Sequence, residues 1–418
     1  MHITRRFFLK SSGVAMVGLS AMPAFLTRAV MASPLPAGAK RKILVVLFQR
    51  GAMDGLNAVI PYADPTYYRM RPTIAIPQPR RGELQTALDL DGFFALHPSL
   101  APLDPLFKQR QLAIVHASGS PDATRSHFDA QDYMESGTPG RKSTEDGWLN
   151  RALQMEQVED ATPFRAVAMG TNLPRALKGS APAVALPDVR QFQMMAASPI
   201  VEGGFEAIYA QTVDQALRGV GQETFEAIDM LRKANPQRYQ PENRATYPQG
   251  RFGQSLLQVA QLIKAGIGLE VAFLDSGGWD HHVNEGGVQG QLSNLLRDLG
   301  QGLAAFHRDL GERMADIVLV TMSEFGRTAA ENGNRGTDHG HANCMFILGG
   351  DVAGGKVHGE WPGLGPDELY EGRDLAVTTD FRAVLSELLA RHLGNTALSA
   401  VFPGFTVSAK DFPGVLKV

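Results

Sequence analysis

The chain has 418 residues, of which 44% are hydrophobic and 20% charged, and a formal net charge of −3. Those proportions supply a sizeable core and argue against a nucleic-acid binder, which carries a surplus of Lys and Arg. A single cysteine, Cys344, excludes an intrachain disulfide, and 44 glycines with 25 prolines signal many turns and long functional loops.

In chain order, the first segment reads as a targeting signal. Thr4-Arg5-Arg6-Phe7-Phe8-Leu9-Lys10 sets two arginines ahead of a weakly apolar stretch at 11–26, and Val30-Met31-Ala32 then offers a cleavage site. Residues 1–32 therefore read as a twin-arginine signal peptide. The apolar stretch contains Pro23 and falls short of the roughly 20 residues a membrane span needs. The expectation is a periplasmic or secreted protein, handled by the twin-arginine translocase and without a stable membrane span. Residues 33–40 form a short linker, and 33–418 read as one domain with insertions.

Continuous apolar runs at 43–48 and 112–115 predict strands buried on both faces. Residues 201–234 read as mostly helical, 235–250 as a polar connection, and 252–265 as a helix leading into a third strand at 269–274. Leu292, Leu295, Leu296, Leu299, Leu303, Phe306 and Leu310 mark one face of a long amphipathic helix. A fourth strand follows at 317–322 and a fifth at 344–348, with Cys344 as a buried strand residue. Strands separated by helices predict an α/β fold with a large, mainly parallel central sheet flanked by helices.

Polar clusters gather at the predicted strand ends, where open α/β sheets place their ligands. Asp54 follows the first strand and Thr124-Arg125-Ser126-His127 the second. Gly278-Trp279-Asp280-His281-His282 follows the third and Ser323-Glu324-Phe325-Gly326-Arg327 the fourth, while Gly336-Thr337-Asp338-His339-Gly340-His341 precedes the fifth. Five of the chain's 11 histidines fall in these clusters, a concentration that points to one shared site. Carboxylate and imidazole without thiolate suit Zn²⁺, Mn²⁺ or another divalent ion. Asp280 and His282, two apart in an extended loop, can converge on one ion, with His339 completing the set. Such an ion polarises an ester oxygen or lowers the pKa of a nucleophile. Taken singly, each cluster suits a turn or a helix cap; their joint recurrence favours the metal. His97, His116, His307, His358, His392 and Trp279 read as structural.

Gln49-Arg50-Gly51-Ala52-Met53-Asp54-Gly55-Leu56, Arg125-Ser126-His127-Phe128, Gly278 to His282, Ser323 to Thr328, and Gly336 to Gly340 followed by Leu348-Gly349-Gly350 occur in this order. Together they resemble the bacterial family called domain of unknown function 1501, over nearly the whole chain after the signal. The resemblance implies an alkaline phosphatase-like fold, shared with sulfatases and phosphomutases, with two metals at the strand ends. It implies Ser126 as nucleophile near a helix start, where N–H groups can hold an anionic ester. Asp280, His282 and His339 would bind the first metal, and Asp54 and Glu324 the second. Phe325 departs from the pattern, which has a histidine there; either His127 substitutes from another loop or the second metal site is weakened or absent. Arg125 and Arg327 are candidate clamps for phosphate or sulfate through their planar donor forks.

The resulting expectation is a metal-dependent hydrolase of phosphate or sulfate esters of small molecules or glycans. Zinc is the expected cofactor, with manganese, magnesium and calcium as alternatives. The rival from another class is a non-catalytic carbohydrate- or envelope-binding protein on the same fold, and a third option is a subunit acting with a second exported protein. Replacing Arg5 and Arg6 together by Lys is expected to hold the full-length precursor in the cytoplasm, read by cell fractionation. Mature wild-type protein in the periplasm of a strain lacking twin-arginine translocation would overturn that assignment.

Overall fold

The computed structural model describes residues 41–156, 162, 164–189 and 239–417. The twin-arginine segment, its cleavage site, the linker, and the helix expected over 201–234 lie outside the described residues. Nine strands form the main sheet among the described residues: β1 (Ile43–Arg50), β2 (Leu112–Gly119), β3 (Ala166–Ala168), β4 (Val184–Ala185), β5 (Val271–Gly277), β6 (Ile317–Met322), β7 (Asn343–Gly349), β8 (Val357–His358) and β9 (Thr379–Asp380). Their order is β8-β2-β7-β6-β1-β5-β3-β4, and β9 also pairs with β2. Every pairing is parallel except those of β7, which runs antiparallel to β2 and to β6. The fold is thus the expected α/β arrangement, a mostly parallel central sheet flanked by helices.

The helices that matter for the site and the core are α1 (His127–Ser136), α2 (Trp148–Met155), α3 (Arg251–Ala265), α4 (Gln291–Leu310) and α5 (Phe381–Glu387). On β1, Val45 and Leu47 join one core layer and Leu44, Val46 and Phe48 the other. That is why the strand reads as an unbroken apolar run: both of its faces are covered. The first layer is closed by Leu256 and Val259 of α3 and by Leu296, Leu299 and Leu303 of α4. The second is closed by Trp148 and Leu149 of α2 and by Phe381, Val384 and Leu385 of α5. Each of these side chains gains about 1.5–3 kcal/mol from leaving water, so both sheet faces are strongly fixed.

The reversed direction of β7 decides where the polar loops meet. The parallel strands β1, β2, β5 and β6 all deliver their following loops to one edge of the sheet. Because β7 runs the other way, the loop that precedes it arrives at that same edge, with Asn343 paired to Ser118 near the end of β2. The 336–342 loop then lies backbone to backbone on the loop after β6. Gly326 N–H donates to His341 O at 2.8 Å, Gly340 N–H to Gly326 O at 2.9 Å, and Thr328 N–H to Asp338 O at 3.0 Å.

This contact leaves no room for a side chain, since a Cβ on Gly326 would overlap the carbonyl oxygen of Ala342. Gly326→Ala is therefore expected to destabilise the protein by about 1–3 kcal/mol, the usual cost of overpacking. Urea denaturation measures it, and an unchanged midpoint would show that the two loops separate freely.

Candidate metal centre

α1 begins at the site. Ser126 is its N-cap residue, and His127, the first helical residue, turns its ring toward the sheet edge. His127 Nδ1 lies 2.8 Å from Oε1 of Glu324, which directly follows Ser323 at the end of β6 and is buried. The Glu324 oxygens also accept from Gln131 Nε2 and from Gly51 N–H, each at 2.8 Å, and from Ser323 Oγ at 3.1 Å. Burial pushes the Glu324 carboxyl upward, but the hydrogen bonds from His127 and Gln131 outweigh it and hold the group below its ordinary range. A carboxylate so placed fixes the proton of His127 on Nδ1 and lifts the imidazole above its usual range. His127 Nε2 is buried and has no hydrogen-bond partner.

The other two histidines are arranged the same way. His339 Nδ1 faces the carbonyl oxygen of Arg125 at 2.8 Å, so that nitrogen must carry the proton. Burial lowers the His339 pKa, leaving its Nε2 as an acceptor. His282 Nδ1 lies 2.9 Å from Asp338 Oδ1. His282 Nε2 lies 3.0 Å from both His339 Nε2 and Asp280 Oδ1, and His339 Nε2 lies 3.2 Å from that same Asp280 oxygen. His127 Nε2 is 3.4 Å from the other oxygen, Asp280 Oδ2. Burial opposes ionisation of Asp280, yet the hydrogen bond and charge of Arg327 hold its pKa at about 2.

Three imidazoles thus anchor their outer nitrogens and turn their inner nitrogens to one carboxylate. One ligand atom each from His127, Asp280 and His339 lies within 4.8 Å of the others, and His282 adjoins them. Ligand atoms about 3 Å apart match metal–ligand bonds of roughly 2 Å, and nitrogen with carboxylate oxygen suits zinc. A carboxylate or carbonyl behind each imidazole is the usual outer partner of a metal-bound histidine. The donor set therefore fits a divalent cation.

The remaining candidates take other positions. Asp54 stands apart from the cluster: it is buried, and both its oxygens are held by Arg71, Nη1 to Oδ2 at 2.5 Å and Nη2 to Oδ1 at 3.1 Å. Glu324 stands behind His127 as its hydrogen-bond partner. Phe325 packs its ring 5.0 Å from those of both His127 and His339 and closes that side with an apolar wall. Arg125 gives its carbonyl to His339, while its guanidinium pairs with Asp374 at 2.6 Å and Glu371 at 2.7 Å. Arg327 is buried, with one bond to Asp280 at 2.6 Å and the rest of its fork on backbone carbonyls. The Ser126 side chain makes no capping hydrogen bond to α1. His281 is buried, and burial followed by the Arg327 charge pushes it down to about 4. Trp279 is core, its indole N–H on Ser276 O at 3.0 Å.

The family described as "Protein of unknown function (DUF1501)" matches residues 41–402. The chain belongs to that family. No match was found among curated proteins. Among solved structures, the PsFucS1 sulfatase from Pseudoalteromonas sp. superposes with a TM-score of 0.38 at 12% identity, over 91% of this chain and 74% of its own. The lipoteichoic acid synthase LtaP from Listeria monocytogenes superposes with a TM-score of 0.33 at 9% identity, over 78% of this chain and 70% of its own. Superpositions this loose give no residue-by-residue correspondence with either protein.

In this family member, sequence reasoning missed the outer partners Asp338, Gln131 and the Arg125 carbonyl. For Asp338 a signal was available, since it is a carboxylate within the same motif as a candidate ligand. A backbone carbonyl carries no such signal. Ala at His127, Asp280 or His339 is expected to weaken zinc binding by more than the roughly 10- to 100-fold typical of losing an outer partner. Titration calorimetry on the purified protein reads this, with His307→Ala on α4 as an unaffected control. Wild-type affinity is also expected to fall on acidification, because the raised pKa of His127 lets protons compete from above the ordinary histidine value of about 6.5. Equal affinity in all four variants and the wild type would remove the site.

Proposed function

We propose that the protein is an exported, metal-dependent hydrolase of phosphate or sulfate esters, its cation held by His127, Asp280 and His339 with His282 alongside. The observation that supports this best is the shared orientation of the histidines, each anchored at Nδ1 with Nε2 turned toward Asp280. Zinc bound there would supply Lewis acidity to an ester oxygen and to charge developing on it. The chain's own groups would supply the rest. Ser126 occupies the N-cap position of α1 beside His127, and its Oγ is not used to cap the helix. The first-turn N–H groups of α1 have no intrahelical partners and suit the oxygens of an anionic ester. Attack by Ser126 Oγ on phosphorus or sulfur would release the alcohol and leave a covalent ester for water to cleave. The Arg5-Arg6 signal supports a periplasmic or secreted location, and no helix among the described residues is long and apolar enough to cross a membrane.

One observation favours the second reading, a non-catalytic protein that binds envelope glycans. Arg125 and Arg327, the candidate clamps, are both engaged by partners within the protein. A screen of the zinc-loaded protein with p-nitrophenyl phosphate and p-nitrophenyl sulfate separates the two. Turnover is expected in the wild type, and Ser126→Ala should keep its zinc while losing roughly a hundredfold or more in kcat. Undiminished turnover in Ser126→Ala would exclude attack by the serine. A zinc-replete wild type that is inert toward both esters but retained on envelope glycans would establish the second reading instead.

A further inference from the structure

The arginines around the metal cluster differ in what their guanidinium groups have left to give. Arg327 is committed to Asp280 and to backbone carbonyls, and Arg125 to Asp374 and Glu371. Asp374 is fully buried, so withdrawing Arg125 would leave its carboxylate poorly matched away from water. Arg373 is placed differently. It belongs to a tight turn in which Tyr370 N–H donates to Asp374 O at 2.8 Å and Asp374 N–H to Tyr370 O at 3.0 Å. Glu371 and Gly372 take left-handed backbone there, with φ of 54° and 63°. The turn lies along the segment after β6, where Thr328 bridges to Asp374 and Ala329 N–H donates to Arg373 O at 3.1 Å. From this fixed backbone the Arg373 side chain reaches the metal cluster's own loop, Nη2 donating to His339 O at 2.8 Å. Its Nη1 stops 3.6 Å from Asp374 Oδ2, too far for a hydrogen bond, and that oxygen already accepts twice from Arg125. Among the described residues the fork has no other partner, and the side chain is 40% exposed.

We propose that Arg373 recognises the anionic end of the substrate, giving its guanidinium fork to the oxygens of a tetrahedral phosphate or sulfate group beside His339. One hydrogen of Nη2 lies alongside Nε–H and the other alongside Nη1–H. Whichever of the two serves His339 O, the other edge of the fork keeps two adjacent donors. Such a pair matches two oxygens of one oxyanion, and hydrogen bonds between ionised partners are about twice as strong as neutral ones. Arg373 can do this without giving up a carboxylate, whereas Arg125 and Arg327 would each have to release one. Their engagement therefore does not count against an anionic ligand: they hold the loops, and Arg373 meets the anion. The nature of the ligand rests on the ester reading of the site; binding of the oxyanion requires no turnover.

Calorimetric titration of inorganic phosphate, and separately of sulfate, into the zinc-loaded mature chain tests this in wild type, Arg373→Gln and Arg373→Lys. The wild type is expected to bind at least one of the two anions, and the one it prefers tells phosphate from sulfate. R373Q should bind that anion about tenfold or more weakly, the usual effect of losing hydrogen bonds between charged groups. R373K keeps the charge without the fork and should fall between the two. Zinc affinity and melting temperature should stay at wild-type values in both variants, which a merely structural role through His339 O would not allow. A wild type that binds neither anion, an R373Q protein that binds as the wild type does, or one that loses zinc in step with the anion would overturn the proposal. Anion binding through Arg373 in a protein that cleaves neither p-nitrophenyl phosphate nor p-nitrophenyl sulfate would sink the hydrolase reading alone. Turnover of either ester with the same KM in R373Q and wild type would instead remove Arg373 and leave that reading standing. Should the protein take up no zinc, the same titrations without the metal decide by the same ratio.

Discussion

Arg327 is buried where three loops meet, and its guanidinium binds all of them. Nε donates to Ala52 O at 2.7 Å, Nη1 to Thr337 O at 3.0 Å, and Nη2 to Gly51 O at 2.5 Å, Trp279 O at 3.2 Å and Asp280 Oδ1 at 2.6 Å. The loops after β1 and β5 and the loop before β7 are thereby tied to a residue that itself follows β6. Drawing away Ala52 O from Nε, or Thr337 O from Nη1, removes the partner of a buried donor, at a cost of about 1–3 kcal/mol, so the loops hold position jointly. A lysine has one ammonium group and no planar fork, and could not reach this many directions. The same bond that completes the junction also keeps Asp280 ionised, so scaffold and candidate ligand share one interaction.

Around that junction the charges are graded by depth. Asp54 and Arg71 pair at the bottom, where neither meets water. Glu324, also buried, is held from α1 and from the loop after β1 and faces Nδ1 of His127. At the surface, Asp280, His282 and His339 are part-exposed and accessible to solvent ions. Phe325 packs against the rings of His127 and His339 on one side. Of the residues the family resemblance implies as ligands, Asp280, His282 and His339 meet with His127, while Asp54 pairs with Arg71 and Glu324 with His127.

Much of the fold was legible because apolar continuity is a strong signal. The run at 317–322 coincides with β6, and the leucine stripe from Leu292 to Leu310 lies on α4. The direction of β7 was not legible, since burial on both faces looks the same in either orientation. Strands β3, β4, β8 and β9 are too short to show periodicity. In the site, the histidine and aspartate types named the chemistry, but their grouping depended on pairings between loops far apart in sequence. Arg71 is illegible in the sequence for the same reason: its role is defined by partners in other loops. A guanidinium in a loop motif also reads alike whether it faces an anion or a set of carbonyls, so the employment of Arg125 and Arg327 emerges only in three dimensions.

The antiparallel entry of β7 has a consequence for how the protein is built in time. His127 follows β2, Asp280 and His282 follow β5, and His339 precedes β7, while β6 and β1 lie between β7 and β5 in the sheet. No two neighbouring strands can assemble the cluster, and it exists only once most of the sheet has found its register. Contacts of such large sequence separation form late, after the loop-closure entropy has been met. A cation specific for the finished cluster would act as a latch on a completed molecule, unlike a small metal domain whose ion templates its folding. Its effect would be felt across the whole sheet, deepening the native well by about 2.7 kcal/mol at a hundredfold excess over Kd.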